Sequence, residues 1–419
     1  MSPAVWGGLV GPDANLPAVV SELGTSVRFE DGTTRLDANA GLWNVSLGAG
    51  HPRVVSALAD SLATGSYGGV FRRTSSMAEE SAQRLLALWP EGTFDRVLFS
   101  TSGSACVDLA IKLARARRRL QRNESHIAAG LKGSYHGQTL GALGVSGEQL
   151  GQRLAGVDPR AFRHLDFNDL DRTRSDLERL GPDLAVVFVE PVQGSGTVPV
   201  SDEFLRVLDA ARERHGFLIV ADEIATGFGR TGPLFASAAW PMSPDLVLLS
   251  KALTNGTNAA SVCLVAPSVT SAFREAGRPF LHGETQAGST LACAAMLAVV
   301  DVFEHEYGVT RAEQFVPGTD RLEGVLRQVA DATEFFGEPR GKGSFWTLPF
   351  SVGLLDGQNA ADLVQPVRDE VFRAGIIVNG APDGLQFAPA HTFSQGEYDR
   401  LADTLAVVAG TFHSELARV

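Results

Sequence analysis

The sequence predicts an α/β fold: a mainly parallel sheet with helices on both faces, joined to a smaller α+β domain. Three observations carry this. Strand-like runs in the middle of the chain are continuously apolar rather than alternating, as strands buried on both faces must be. Helical patterns alternate with them in a β-α-β-α rhythm. And 419 residues exceed the ~250–300 that one hydrophobic core usually serves.

The elements follow in order. RVLFS (96–100) reads as a strand and DLAIKLARARRRL (108–120) as the helix after it. LAVVFVE (184–190) is a buried strand of the parallel type. FLRVLDAARERHG (204–216) is a helix ended by Gly216. FLIVADE (217–223) and DLVLLS (245–250) are two more buried strands, and LACAAMLAVVDVFEHE (291–306) is a long, mostly apolar helix. Beyond it the pattern shortens and mixes: RLEGVLRQVA (321–330), SFWTLPFSVG (344–353), LVQPVRDEVFRAG (363–375) and YDRLADTLAVVAGTF (398–412). The boundary is expected near 305–315. That gives a large domain over 48–305 and a small domain built from both chain ends, 1–47 and 306–419.

Composition narrows the function. With 44% hydrophobic and 20% charged residues, the chain is not an extended disordered one. The net charge is −12, and the one basic block is Arg115 to Arg122. Within it Arg117, Arg118 and Arg119 read as the solvated end of a helix, so nucleic acid is not an expected partner. The three cysteines, Cys106, Cys263 and Cys293, are odd in number and form no CxxC pair. Neither a metal site nor a disulfide framework is expected, and a cytoplasmic, reducing setting fits. The N-terminus lacks a secretory pattern, and no uncharged apolar stretch reaches the ~18 residues of a membrane span.

Chemistry gathers at two strand ends. VADE ends at Asp222 and Glu223, and in a parallel sheet the carboxyl ends of strands line the ligand crevice. Alone, Asp222 is ordinary as a helix cap or structural ion pair. DLVLLS runs straight into Lys251, which alone is ordinary as a loop residue. Together they close consecutive crevice strands. They supply the two contacts a pyridoxal cofactor needs, an amine for a Schiff base and an anionic partner for the ring nitrogen. STSGSACVDLAIKLA (100–114) is strand, turn and helix. There Gly103, Ser104 and Ala105 would offer backbone N–H groups and a hydroxyl to an anion, although a plain capped helix reads the same way.

These segments carry a resemblance. VADEIATGFGRTGPLFA (220–236) and LLSKALTNG (248–256) resemble the class III, fold-type I, pyridoxal-phosphate-dependent aminotransferases. Their nearest likeness is to the diaminopelargonic acid (7,8-diaminononanoate) aminotransferases. GLWNVSLGAGHP (41–52), YGGVFRRTSSMAEESAQRL (67–85), GSYHGQTLGALGVSG (133–147), EPVQGSG (190–196) and HGETQAGSTLACAA (282–295) extend the match over roughly residues 40–300. The resemblance implies a mainly parallel seven-stranded sheet and the following roles. Lys251 carries pyridoxal 5'-phosphate as an imine and moves the substrate proton. Asp222 keeps the ring nitrogen protonated. Ile224 packs beneath the ring, and Tyr135 of the Tyr135-His136-Gly137 motif stacks on its other face, with His136 also at the cofactor. Gly103, Ser104 and Ala105 hold the phosphate. Glu190 and Gln193 line the pocket, Gln193 near the ring hydroxyl. Thr285 reaches the phosphate of a neighbouring subunit, which implies a homodimer with shared active sites. Trp43 and Arg72 are candidate substrate contacts, and Arg230 is structural.

The C-terminal segment departs from the family. Biotin-type members carry a carboxylate-clamping arginine in a G-x-x-x-R-P-x-G stretch. The corresponding run here is GIIVNGAPDGLQFAPA (375–390), with Asn379 at the arginine position and no Lys or Arg from 374 to 399. An amide offers neither the charge nor the forked donors of a guanidinium. Thr290 stands where proline is usual, and Gln286 where an aromatic residue is common. The expected reaction is amino transfer from an amine or amino-acid donor to a ketone or aldehyde acceptor, free or peptide-borne. Biotin-type transfer, decarboxylation, racemisation and aminomutase chemistry use the same two residues and stay open at this point.

Overall fold

The computed structural model describes residues 17–65, 67–73, 75–351 and 359–416. Residues 1–16 of the expected small domain, and the last two of the run 344–353, lie outside them. Three short strands come first: β1 (Val19–Leu23), β2 (Ser26–Phe29) and β3 (Thr34–Asp37). The large sheet follows, made of β4 (Arg96–Ser100), β5 (Ile127–Leu131), β6 (Phe162–Leu165), β7 (Leu184–Val189), β8 (Leu218–Asp222), β9 (Leu246–Leu249) and β10 (Ser261–Val265). The C-terminal part adds β11 (Arg340–Lys342), β12 (Phe345–Pro349), β13 (Ile376–Ile377), β14 (Asn379–Ala381) and β15 (Gly384–Phe387).

The large sheet has seven strands in the order β4-β10-β9-β8-β7-β5-β6. β10 pairs antiparallel with both neighbours, and the other pairs are parallel. Of the strands read from sequence, β7, β8 and β9 sit at its centre and β4 at its edge. β7 and β8 are buried at every residue because helices cover both faces. Each fully buried aliphatic side chain there contributes about 1.5–3 kcal/mol. β5, β6 and β10 were not anticipated.

Local chemistry explains the helices. Ser102 caps the helix Gly103–Leu120, its hydroxyl accepting from Ala105 N. Ser201 does the same for Asp202–His215, which ends at Gly216 in the left-handed conformation. The arginine run corrects the expectation of a solvated helix end. Arg118 is buried, and donates to Gly216 O at 3.1 Å, His215 O at 2.9 Å and Ser125 Oγ at 3.1 Å. Arg117 also reaches Gly216 O, at 3.1 Å. The last carbonyls of a helix lack intrahelical donors, and these guanidiniums satisfy them. Of the three, Arg119 stays in water, with its side chain 74% exposed.

The chain ends meet. β3 pairs in parallel with β13, completing a four-stranded sheet β1-β2-β3-β13. Leu36 and Ala38 share a core with Leu322, Val371, Leu385 and Leu401. A second four-stranded sheet, β11-β12-β15-β14, lies in the C-terminal part. The cysteines are buried and free. Among the described residues no helix is long and apolar enough to cross a membrane.

Candidate active site

The carboxyl ends of β7, β8 and β9 are neighbours, and each delivers one ionisable residue: Glu190, Asp222 and Lys251. They line one pocket of about 190 Å³ with Trp43, Ser102, Gly103, Ser104, Tyr135, His136, Gly137, Ile224, Ala225 and Ser250. β4 contributes through the turn after Ser100, and β5 through the loop that holds Tyr135 and His136.

Asp222 is buried beside His136, whose Nδ1 lies 2.7 Å from Asp222 Oδ2. Burial disfavours the imidazolium, but the hydrogen bond and charge of Asp222 outweigh it and raise the His136 pKa above its ordinary value. The other oxygen, Oδ1, accepts from Ile224 N at 3.1 Å. Asp222 is thus held from two sides. Glu190 is also buried, its oxygens accepting from Tyr135 N at 3.0 Å and Gly194 N at 2.9 Å. Burial pushes its pKa up to about 7, helped by Asp222 and opposed by His136.

Lys251 is the buried amine. Burial lowers its pKa from 10.5 to about 8, although Asp222 and Glu190 pull the other way. Its Nζ lies 4.1 Å from the centroid of the Trp43 ring. Lys251 has φ 46°, and the run Ala40, Gly41, Leu42 and Trp43 has φ 46°, 57°, 57° and 70°. Left-handed backbone costs a non-glycine residue roughly 1–2 kcal/mol. Such strain gathers where a side chain must be placed against preference. Here it places Trp43 over the amine, with Asp37 carboxylate oxygens accepting from Asn39 N at 2.8 Å and Gly41 N at 2.7 Å.

Small residues keep the pocket floor open. A Cβ on Gly103 would come within 2.9 Å of Ile224 Cδ1, and one on Gly137 within 2.0 Å of Ser104 Oγ. The helix starting at Gly103 leaves the N–H groups of Gly103 and Ser104 without intrahelical acceptors, facing the pocket end. The N–H of Ala105, the third residue expected at the phosphate, donates to Ser102 Oγ at 3.2 Å.

Five predicted residues fall outside the pocket lining. One is Ala105. Gln193 donates to Lys132 O at 2.8 Å and so braces the turn before Tyr135. Arg72 is exposed, its guanidinium 5.4 Å from the Phe71 ring. Thr285 is exposed, on a loop packed against Gly69. Asn379 lines a different cavity, beside Leu42 and Val378, and donates to Gln386 Oε1 at 3.2 Å. Sequence reasoning missed Ser102, Gly137, Ala225 and Ser250. The first could have been found as the cap before Gly103, the second as the third residue of Tyr-His-Gly.

The class III aminotransferase family matches this chain over residues 11–408. The chain is a class III aminotransferase. Its relatives include the omega-aminotransferase of Caulobacter vibrioides, 29% identical over 90% of this chain and 89% of that one. The 5-aminovalerate aminotransferase of Pseudomonas putida is 33% identical over 75% and 74%. An amine transaminase from an uncultivated Pseudomonas species, solved with pyridoxal phosphate bound, superposes with a TM-score of 0.85. It is 25% identical and covers 98% of this chain and 99% of that one. The aminotransferase therefore has the fold of these enzymes and uses pyridoxal phosphate. Its own residues fit that group: a buried amine of lowered pKa, a fixed buried carboxylate, free N–H groups at a helix start, and glycines whose Cβ atoms would intrude.

Proposed function

We propose that this aminotransferase moves an amino group from an amine or amino-acid donor to a ketone or aldehyde lacking the carboxylate that an arginine would clamp. The setting we infer is specialised metabolism, such as the modification of peptides. One observation carries the reading: the residues lining the pocket include no arginine. Two nearby guanidiniums are already engaged. Arg230 is fully buried and donates to Pro389 O at 2.6 Å and Ser46 Oγ at 3.0 Å. Arg340 grips Asp383 at 2.7 and 2.5 Å and donates to Gly196 O at 2.7 Å. Where a clamp would be expected, Asn379 binds Gln386, whose Nε2 donates to Gly194 O at 2.6 Å. A pocket lined by no guanidinium supports an acceptor without a clamped carboxylate, since a buried guanidinium beside a neutral substrate would cost several kcal/mol. It also weighs against a 7,8-diaminononanoate-type role. The omega-aminotransferase and 5-aminovalerate relatives support donors of a terminal-amine kind.

Bound pyridoxal phosphate supplies a carbon that condenses with amines and a ring that accepts the electron pair left when a C–H bond breaks. The chain's own residues do the rest. Lys251 would hold the cofactor through its side-chain amine. Once free, its Nζ would serve as the base that takes the proton from the donor carbon and, as the conjugate ammonium, would be the acid that gives that proton up. Asp222, steadied by His136, holds a proton on the ring nitrogen by charge. Gly103 and Ser104 receive the phosphate at the helix start. Ile224 and Tyr135, which line the same pocket, would flank the cofactor, and Trp43 limits the space beside Lys251.

A panel of acceptors tests the substrate reading. Neutral ketones and aldehydes are expected to be turned over faster than 7-keto-8-aminopelargonate with each of several amine donors. Efficient turnover of the keto-acid, lost in Arg72→Ala or Arg73→Ala, would overturn it. The active unit we propose is a homodimer. Thr285 stands apart from its own pocket, on a surface with exposed Tyr67, Phe71 and Leu281, and is suited to serve a partner's phosphate site. Sedimentation at assay concentration should give a dimer; a fully active monomer is the contrary result.

A further inference from the structure

The helix Gly103–Leu120 carries a second cationic feature, separate from the cofactor pocket. Lys112, Arg115 and Arg119 share one of its faces and line a groove of about 470 Å³ with Asp108, Ser125, His126 and Gly141. Arg115 is its fixed point. Its Nε donates to His126 O at 2.7 Å, and its guanidinium lies 5.8 Å from the Phe162 ring centroid. Its Nη2 is shielded from solvent and has no hydrogen-bond partner. Lys112 Nζ lies 5.4 Å from the Phe280 ring centroid. Among the described residues, neither Lys112 nor Arg115 forms an ion pair. Arg119 has one contact with Glu124, at 3.8 Å between side chains 74% and 86% exposed, which is worth little. Asp108 Oδ1 is occupied by Ala142 N at 3.0 Å.

The electrostatics agree. Burial, then the charge of Arg119, push Arg115 below the ordinary guanidinium range, and no neighbouring carboxylate relieves it. The whole chain carries a net charge of −12, so three cations gathered around one lining carboxylate, Asp108, are not a consequence of composition.

We propose that this groove binds the phosphate group of a small anionic molecule. The Arg119 guanidinium, the remaining Nη1 of Arg115 and the Lys112 ammonium offer donors from several directions. A tetrahedral dianion matches them better than a single planar carboxylate. The groove is too local, and the rest of the surface too acidic, for a nucleic-acid backbone.

The test uses holoenzyme saturated with pyridoxal phosphate, so that the cofactor's own phosphate site is filled. It is titrated calorimetrically with inorganic phosphate and with phenyl phosphate, at constant ionic strength. Saturable binding is expected for wild type, weakened about tenfold or more in Lys112→Gln and in Arg119→Gln, with the cofactor's visible spectrum unchanged. Tighter binding of phenyl phosphate identifies a phosphate ester as the ligand class, and tighter binding of inorganic phosphate identifies the free ion. Absence of saturable heat at millimolar concentrations would overturn the proposal. So would variants that bind both probes as wild type does.

Discussion

Lys251→Ala is expected to lose transamination by at least ~10⁴-fold, because in the proposed role one residue both holds the cofactor and moves the proton. The fold should survive, since removing a buried amine relieves a desolvation cost rather than breaking an ion pair. The amine's environment adds a pH signature. Burial brings Lys251 from 10.5 to about 8. At pH 8 about half of it is neutral, against about one in three hundred for an ordinary lysine. Only the neutral amine attacks an aldehyde. Attachment of pyridoxal phosphate to cofactor-stripped protein should therefore accelerate as pH rises through about 8, then level off. A rate still climbing towards pH 10 would mean that the reacting lysine is not this buried one. Circular dichroism of Lys251→Ala beside its residual turnover checks the variant.

Asp222→Asn is the second large effect expected. The amide keeps the size of the side chain, and its oxygen can still accept from Ile224 N or His136. It cannot hold a ring proton by charge. A loss of roughly 10²–10³-fold in turnover is expected, in the range for removing one preorganised electrostatic contact. Cofactor content and thermal melting should stay near wild type. Near-normal rates with cofactor bound would remove Asp222 from its proposed role.

Much of this site was legible because strands buried on both faces announce themselves as unbroken apolar runs. The residue that ends such a run is at the crevice whatever the rest of the chain does. Asp222 and Lys251 were found that way, from VADE and LLSK. Other features depend on pairing at a distance. The His136–Asp222 contact joins a loop to the end of β8, 86 positions apart in the sequence. No local pattern marks it. β5 reads IAAGL, whose small residues carry little strand signal, and β6 has four residues. β10 is apolar enough, but its antiparallel direction follows only from where its neighbours lie.

Asn379 shows a different limit. Its place in the chain is that of a substrate-clamping arginine, yet strand register sets its side chain against Gln386 and a cavity that is not the cofactor pocket. The arginine run failed for a similar reason. Arg117 and Arg118 look solvated in a helical reading, but the end of another helix needs their donors.

Peptide mapping tests the central claim most directly. Borohydride should fix the cofactor irreversibly to the lysine that carries it in the resting holoenzyme. Proteolysis and mass spectrometry should then place the pyridoxyl mass on the peptide containing Lys251 and on no other. A label on any other lysine, with Lys251 unmodified, would contradict the account.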